Sequence, residues 1–174
     1  MGDALASAEW GEPRSRTVTW HDPSKPAAVS QTMAGLDYLQ ALAAGTIPAP
    51  PIVGLIDAQL ASVDSGTAVF TLEPNESHFN PIGAVHGGII CTLLDSAAGC
   101  AVHSTLPRGT GYTSIEIKVN FMRGVTLESG RLTARGWVKK PGRRVAFAEA
   151  EITDESGKTV ATASSALLVF DIPS

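Results

Sequence analysis

The chain has 174 residues, 44% of them hydrophobic and 17% charged, with a net charge of −4. That length suits one domain with a single core, and a sequence pI of about 5.5 argues against a broad electropositive footprint for nucleic acid. The apolar balance predicts surface buried against a partner, whereas no run approaches the roughly 20 apolar residues that span a bilayer, so no membrane partner is expected.

Residues 1–30 mix Gly, Pro, Ser and charge without periodicity and read as an irregular N-terminal arm. The start, MGDALASAEWGEPRSR, has no basic region followed by an apolar one, so the cytoplasm is the expected location. Residues 31–51 read as a lead-in helix and connector. Met33, Leu36, Leu39, Leu42 and Ala43 recur at helical spacing, Gly45 supplies a stop, and Pro48, Pro50 and Pro51 predict an extended exit.

The remaining segment, 52–174, carries the expected main domain. Two strands flank the turn signal Asp64-Ser65-Gly66, and a loop, EPNESHFNPIGA, follows them. Residues from about Gly88 to His103 read as a helix that is apolar around most of its circumference, which predicts burial in a core with a sheet around it. On that helix Cys91 and Cys100 fall on opposite sides, so no disulfide between them is expected and a reducing compartment is the simpler reading. From Ser114 to Met122 the pattern alternates, with Ile115, Ile117, Val119 and Phe121 on one face and Glu116, Lys118 and Asn120 on the other. Three more strand-like runs, about 130–139, 144–153 and 159–170, are separated by Pro141-Gly142 and Glu155-Ser156-Gly157. The expected fold class is α+β, an antiparallel β-sheet wrapped around a central α-helix.

Chemistry concentrates around that helix. His86-Gly87-Gly88 stands where it begins, and two glycines let a substrate approach backbone N–H groups that the helix leaves unpaired, an end that attracts a polarised or negative oxygen. A tight turn needing Gly for steric reasons alone is the plainer use of the same residues. Asp95 lies two turns further on among Leu93, Leu94, Ala97 and Ala98, and a carboxylate in such surroundings suits a general base or nucleophile. It could also be a structural residue bonded to Thr92, Ser96 or a neighbouring chain. Asn80, in the preceding loop, has an amide able both to donate and to accept, although a turn residue before Pro81 is its bland reading.

The segment Asn80 to Ala101, NPIGAVHGGIICTLLDSAAGCA, resembles the signature of hotdog-fold acyl-CoA thioesterases of the phenylacetate-pathway (PaaI-like) type. The match rests on an Asn, a Gly seven residues later and an Asp eight beyond that, here Asn80, Gly87 and Asp95. The strand TSIEIKVNFMRGV is also similar, with Ser114 where several members place a hydroxyl near the catalytic carboxylate. The resemblance implies a hotdog fold and an acyl-CoA substrate. It also implies a homodimer joined edge to edge and often paired into a homotetramer, with Gly and Asn of each site from one subunit and Asp from the other.

On this reading Asp95, Gly87, Asn80 and Ser114 are the catalytic candidates, and His86, Gly88 and Thr113 are candidates for binding substrate. Lys139, Lys140, Arg143 and Arg144 form a basic cluster that could hold coenzyme A phosphates or be a solvated hairpin tip. No cofactor is expected. No metal is expected either, since His21, His78, His86 and His103 lack ligand spacing. A non-catalytic acyl-CoA-binding module, and a dehydratase or hydratase needing a His and carboxylate pair, are the alternatives.

Overall fold

A computed structural model of the chain describes residues 10–172, so the first nine residues of the expected arm lie outside the described residues. Within the rest of that arm Ser24–Ser30 form a short helix, α1, where no regular structure was expected. The Asp22 carboxylate accepts hydrogen bonds from the Ser24 N–H and hydroxyl and steadies its start. Such a local side-chain to backbone contact leaves no apolar period to read.

The lead-in helix, α2, spans Gly35–Ala43. It begins later than its apolar period suggests because the Gly35 N–H donates to the Leu106 carbonyl, just past the central helix, and a Cβ on Gly35 would overlap the His103 carbonyl oxygen. It ends at Gly45 (φ 73°), where the Thr46 N–H returns to the Ala41 carbonyl and the Gly45 N–H to the Leu42 carbonyl, satisfying carbonyls the helix leaves free. Pro50 is extended as predicted, but Pro51 starts a second short helix, α3 (Pro51–Leu55), since a proline suits the first helical position.

Strands β1 (Ala58–Asp64) and β2 (Thr67–Leu72) form the predicted hairpin. The long helix α4 runs Gly87–His103. It is followed by β3 (Thr110–Phe121), β4 (Leu132–Lys140), β5 (Val145–Thr153) and β6 (Thr159–Asp171). All six strands make one antiparallel sheet in the order β1-β2-β4-β5-β6-β3. Leu93, Leu94, Ala97, Ala101 and Val102 of α4 are buried in the core with residues of the sheet such as Leu132, Ile152 and Leu167. The expected helix-in-sheet architecture is therefore present, and no helix among the described residues is long and apolar enough to cross a membrane.

The sheet does not enclose the helix. Thr92, Asp95 and Ser96 are only half-buried, so one flank of α4 stays partly open along these residues. Close approach on the covered side depends on Gly136, where a Cβ would overlap the Ala97 carbonyl oxygen. Backbone cannot yield as a flexible side chain can, so Gly136→Ala is expected to destabilise the fold by about 3 kcal/mol. In a thermal melt this lowers Tm by roughly 6 to 12 °C.

The alternation predicted for β3 is broken. Its register against β6 shifts between Ser114 and Glu116, so Ile115 occupies a bulge and is 56% exposed. Beyond it Ile117 and Val119 pack on the core, while Phe121 is exposed. A bulge exchanges the faces of the residues on its two sides. Here it lets Ser114 and Ile117 both point at α4, which strict alternation forbids.

Candidate active site

Asp95 sits on the open flank of α4, where its Oδ1 accepts a 2.7 Å hydrogen bond from the Ser114 hydroxyl. Thr92 and Ser96, the structural partners considered from the sequence, are otherwise engaged. The Thr92 hydroxyl donates to the Gly88 carbonyl at 2.9 Å and the Ser96 hydroxyl to the Thr92 carbonyl at 2.8 Å. Asp95 is thus not sealed among its apolar neighbours. Those face the sheet, and the carboxylate keeps an oxygen for which no donor is found among the described residues.

At the head of the helix, His86 is the N-cap and its Nδ1 accepts from the Gly88 N–H at 2.8 Å. That places the ring proton on Nε2 of an exposed imidazole. Gly88 has therefore spent its donor on the cap. The Gly87 N–H, by contrast, has no hydrogen-bond partner among the described residues, and it stands at the positive end of a 17-residue helix. The Phe121 ring lies over it, within 3.1 Å of where a Cβ on Gly87 would be.

The loop before the helix is folded on itself. Asn80 Oδ1 accepts from the N–H groups of Ile82 (3.0 Å) and Ala84 (3.1 Å), and the backbones of Asn80 and Ala84 also pair. Its carbonyl is consumed, which leaves the side-chain NH₂ to donate but not the two-way amide expected from sequence. Behind the loop, His78 is 3% exposed and accepts the His86 N–H through its backbone carbonyl. Burial, and then the charge of Arg16, hold the His78 imidazole below its usual pKa, so the neutral ring braces the loop.

The other candidates are not brought to the carboxylate. Thr113 is exposed and faces away from Ser114, pairing with Leu168 of β6. Lys139, Lys140, Arg143 and Arg144 are exposed around the β4–β5 turn, with Lys139 ion-paired to Glu149 at 3.3 Å. Gly142 and Arg143 share a cavity wall with Thr105 and Pro107, just past the C-terminal end of α4. The basic hairpin thus lies at the opposite end of the helix from Gly87 in the same chain.

A second group of residues went unread in the sequence. The Tyr112 ring crosses α4 at Gly99, where a Cβ would come within 3.0 Å of its hydroxyl, and that hydroxyl is directed at the Cys100 thiol. His103 and Tyr38 stack on it in turn, with ring centroids 5.2 and 5.7 Å apart along the row. Burial, and then the Asp95 charge, push the Cys100 thiol up to about 12, so it is protonated and inert as a nucleophile. The signal was Gly99, the glycine inside an otherwise unbroken helix.

A Thioesterase superfamily model matches residues 82–161. Human acyl-coenzyme A thioesterase 13 is 32% identical over 104 residues, covering 59% of this chain and 72% of that protein. The PaaI protein of the Escherichia coli phenylacetic acid degradation operon superposes with a TM-score of 0.68 at 23% identity, over 78% of this chain and 96% of the other, a likeness of fold. A hypothetical thioesterase protein from Streptococcus pneumoniae, solved with coenzyme A, has a TM-score of 0.60 and 25% identity over 67% of this chain and 88% of its own.

Proposed function

Because the chain belongs to the thioesterase superfamily, we propose that it hydrolyses an acyl-CoA thioester to a carboxylic acid and coenzyme A, with Asp95 as the catalytic carboxylate. The observation that carries this reading is Asp95 on an open helix flank, oriented by Ser114, combined with an unspent Gly87 N–H at the head of the same helix. The Gly87 N–H polarises the thioester carbonyl and stabilises the charge developing on its oxygen. Asp95 takes a proton from the attacking water, or attacks the carbonyl carbon itself to form an anhydride that water then opens. In either route the carbon–sulfur bond breaks and the thiolate leaves and is protonated. Asn80 contributes its NH₂ as a donor to the water or the carbonyl, and Ser114 holds the carboxylate.

Eight residues of helix separate Gly87 from Asp95, about 12 Å along the axis. One thioester cannot be held by both in a single copy, which supports a site shared between two. A two-fold axis passing near Cys91, midway between them, would set Gly87 of one copy level with Asp95 of the other. The partner surface is supported by β3, a 12-residue edge strand whose outer side is unpaired among the described residues and which exposes Ile115 and Phe121. Pairing of dimers into a tetramer is supported by Phe147, Leu168 and Phe170, exposed on the outer face of β5 and β6. In such an assembly the basic cluster Lys139, Lys140, Arg143 and Arg144 would serve coenzyme A phosphates held largely by a neighbouring copy. His86 and Gly88 shape the helix head that meets the substrate. We place the enzyme in the cytoplasm, in keeping with two free cysteines.

Release of free thiol from a panel of acyl-CoA thioesters tests the activity, since neither a binding module nor a hydratase produces it. Mixing tests the shared site. An Asp95→Asn copy and a Gly87→Pro copy, each reduced to about a hundredth of wild-type activity or less alone, are expected to regain about a quarter of it when refolded together, because half the dimers then carry one intact site of two. No recovery, with mixed dimers demonstrated by mass, sinks the shared site.

A further inference from the structure

One cavity lies outside the machinery described above. It has a volume of about 380 Å³ and sits among α2, α3, the first two strands and the central helix, walled by Leu39, Leu42, Val53, Leu60, Phe70 and Cys100. Pockets for small molecules run from about 300 to 1,000 Å³, so the space suffices for a ligand group. Its position relative to Asp95 makes it informative. Cys100 is five residues further along α4, about 7.5 Å up the axis, and Tyr112 lies across the helix at Gly99 with its hydroxyl directed at the Cys100 thiol. Tyr112 also shares its strand and face with Ser114, the hydroxyl bonded to Asp95. Gly99, with the Tyr112 ring packed on it, thus stands on α4 between Asp95 and the Cys100 of the cavity wall.

We propose that this cavity receives an aliphatic acyl chain, which enters at Asp95, passes the Tyr112 hydroxyl and ends against Cys100, Leu42 and Leu60, so that these residues set the chain length. The proposal rests on the thioesterase reading and deepens it. Among the described residues no charged group lines the wall, and Gln59 and Cys100 are its polar side chains. A chain of methylene groups suits such a lining, whereas an acyl group bearing several hydroxyls would leave buried polar atoms unpaired. Leu39, Leu42 and Ala43 of the lead-in helix form one wall of the pocket.

The test uses the assembled protein and non-hydrolysable S-alkyl-CoA thioethers of increasing alkyl length, with binding measured by calorimetry. Wild-type affinity is expected to rise with length, by at least about tenfold between a two-carbon and a longer alkyl group. Cys100→Leu and Ala43→Phe, the latter at an exposed position on the cavity wall, are expected to abolish that gain and keep the affinity for the shortest thioether. Wild-type affinity independent of length overturns the proposal without reference to any variant. So does an unchanged gain in both variants when they fold and assemble as wild type does. Should thioethers bind with the expected length dependence while no thioester releases thiol, the cavity assignment stands and the hydrolase reading alone fails.

Discussion

Asp95→Asn is expected to lower kcat/KM for thiol release by about 10² to 10⁴, the usual worth of a positioned acid–base group. The substitution is close to isosteric, and the Ser114 hydroxyl that now donates to Oδ1 at 2.7 Å can donate equally to an amide oxygen. Circular dichroism and solution mass should therefore match wild type. The amide can neither take a proton from water nor attack a carbonyl, so either catalytic route fails with it. Activity within about threefold of wild type, in a protein of unchanged mass and fold, would remove Asp95 from the mechanism.

Gly87 can be separated into its donor and its lack of a side chain. It is the first residue of α4, and the preceding His86 is extended (ψ 134°). Proline is tolerated at such a position, where the helix leaves the N–H without an internal partner and where an extended residue must precede. Gly87→Pro thus deletes one N–H with little cost to the helix, and it is expected to reduce kcat by about 10² to 10³, as loss of one oxyanion donor does. Gly87→Ala keeps the N–H and adds a Cβ that meets only the exposed Phe121 ring at 3.1 Å. A ring edge can swing aside, so the alanine variant should retain most of its activity. Equal loss in both variants would mean that space, and not the donor, is what Gly87 provides.

The sequence by itself determined the elements whose signals are local. Alternation in one strand and turn signals between the other three located the strands after the helix to within a few residues, and the apolar run from about 88 to 103 located the buried helix, because burial imposes a period wherever one side of an element faces a core. It also placed an ionisable group, Asp95, and two glycines on that helix, which is enough to suggest chemistry but not to arrange it. The tertiary structure decided which polar groups remain available. Asn80 Oδ1 and the Gly88 N–H are consumed by neighbours within the loop and cap, while the Gly87 N–H finds no partner among the described residues. Hydrogen-bond satisfaction depends on where the chain folds back, and residue type alone does not reveal it.

The same holds for direction. The bulge at Ile115, set by pairing with β6, turned Ser114 toward Asp95 and left Thr113 facing outward. The β4–β5 hairpin carried its four basic residues to the end of α4 away from Gly87. Tyr112 met Cys100 only because Gly99 lets a ring cross the helix. Each outcome depends on the register or close approach of segments distant in the chain, which a periodicity measured along a single segment cannot contain.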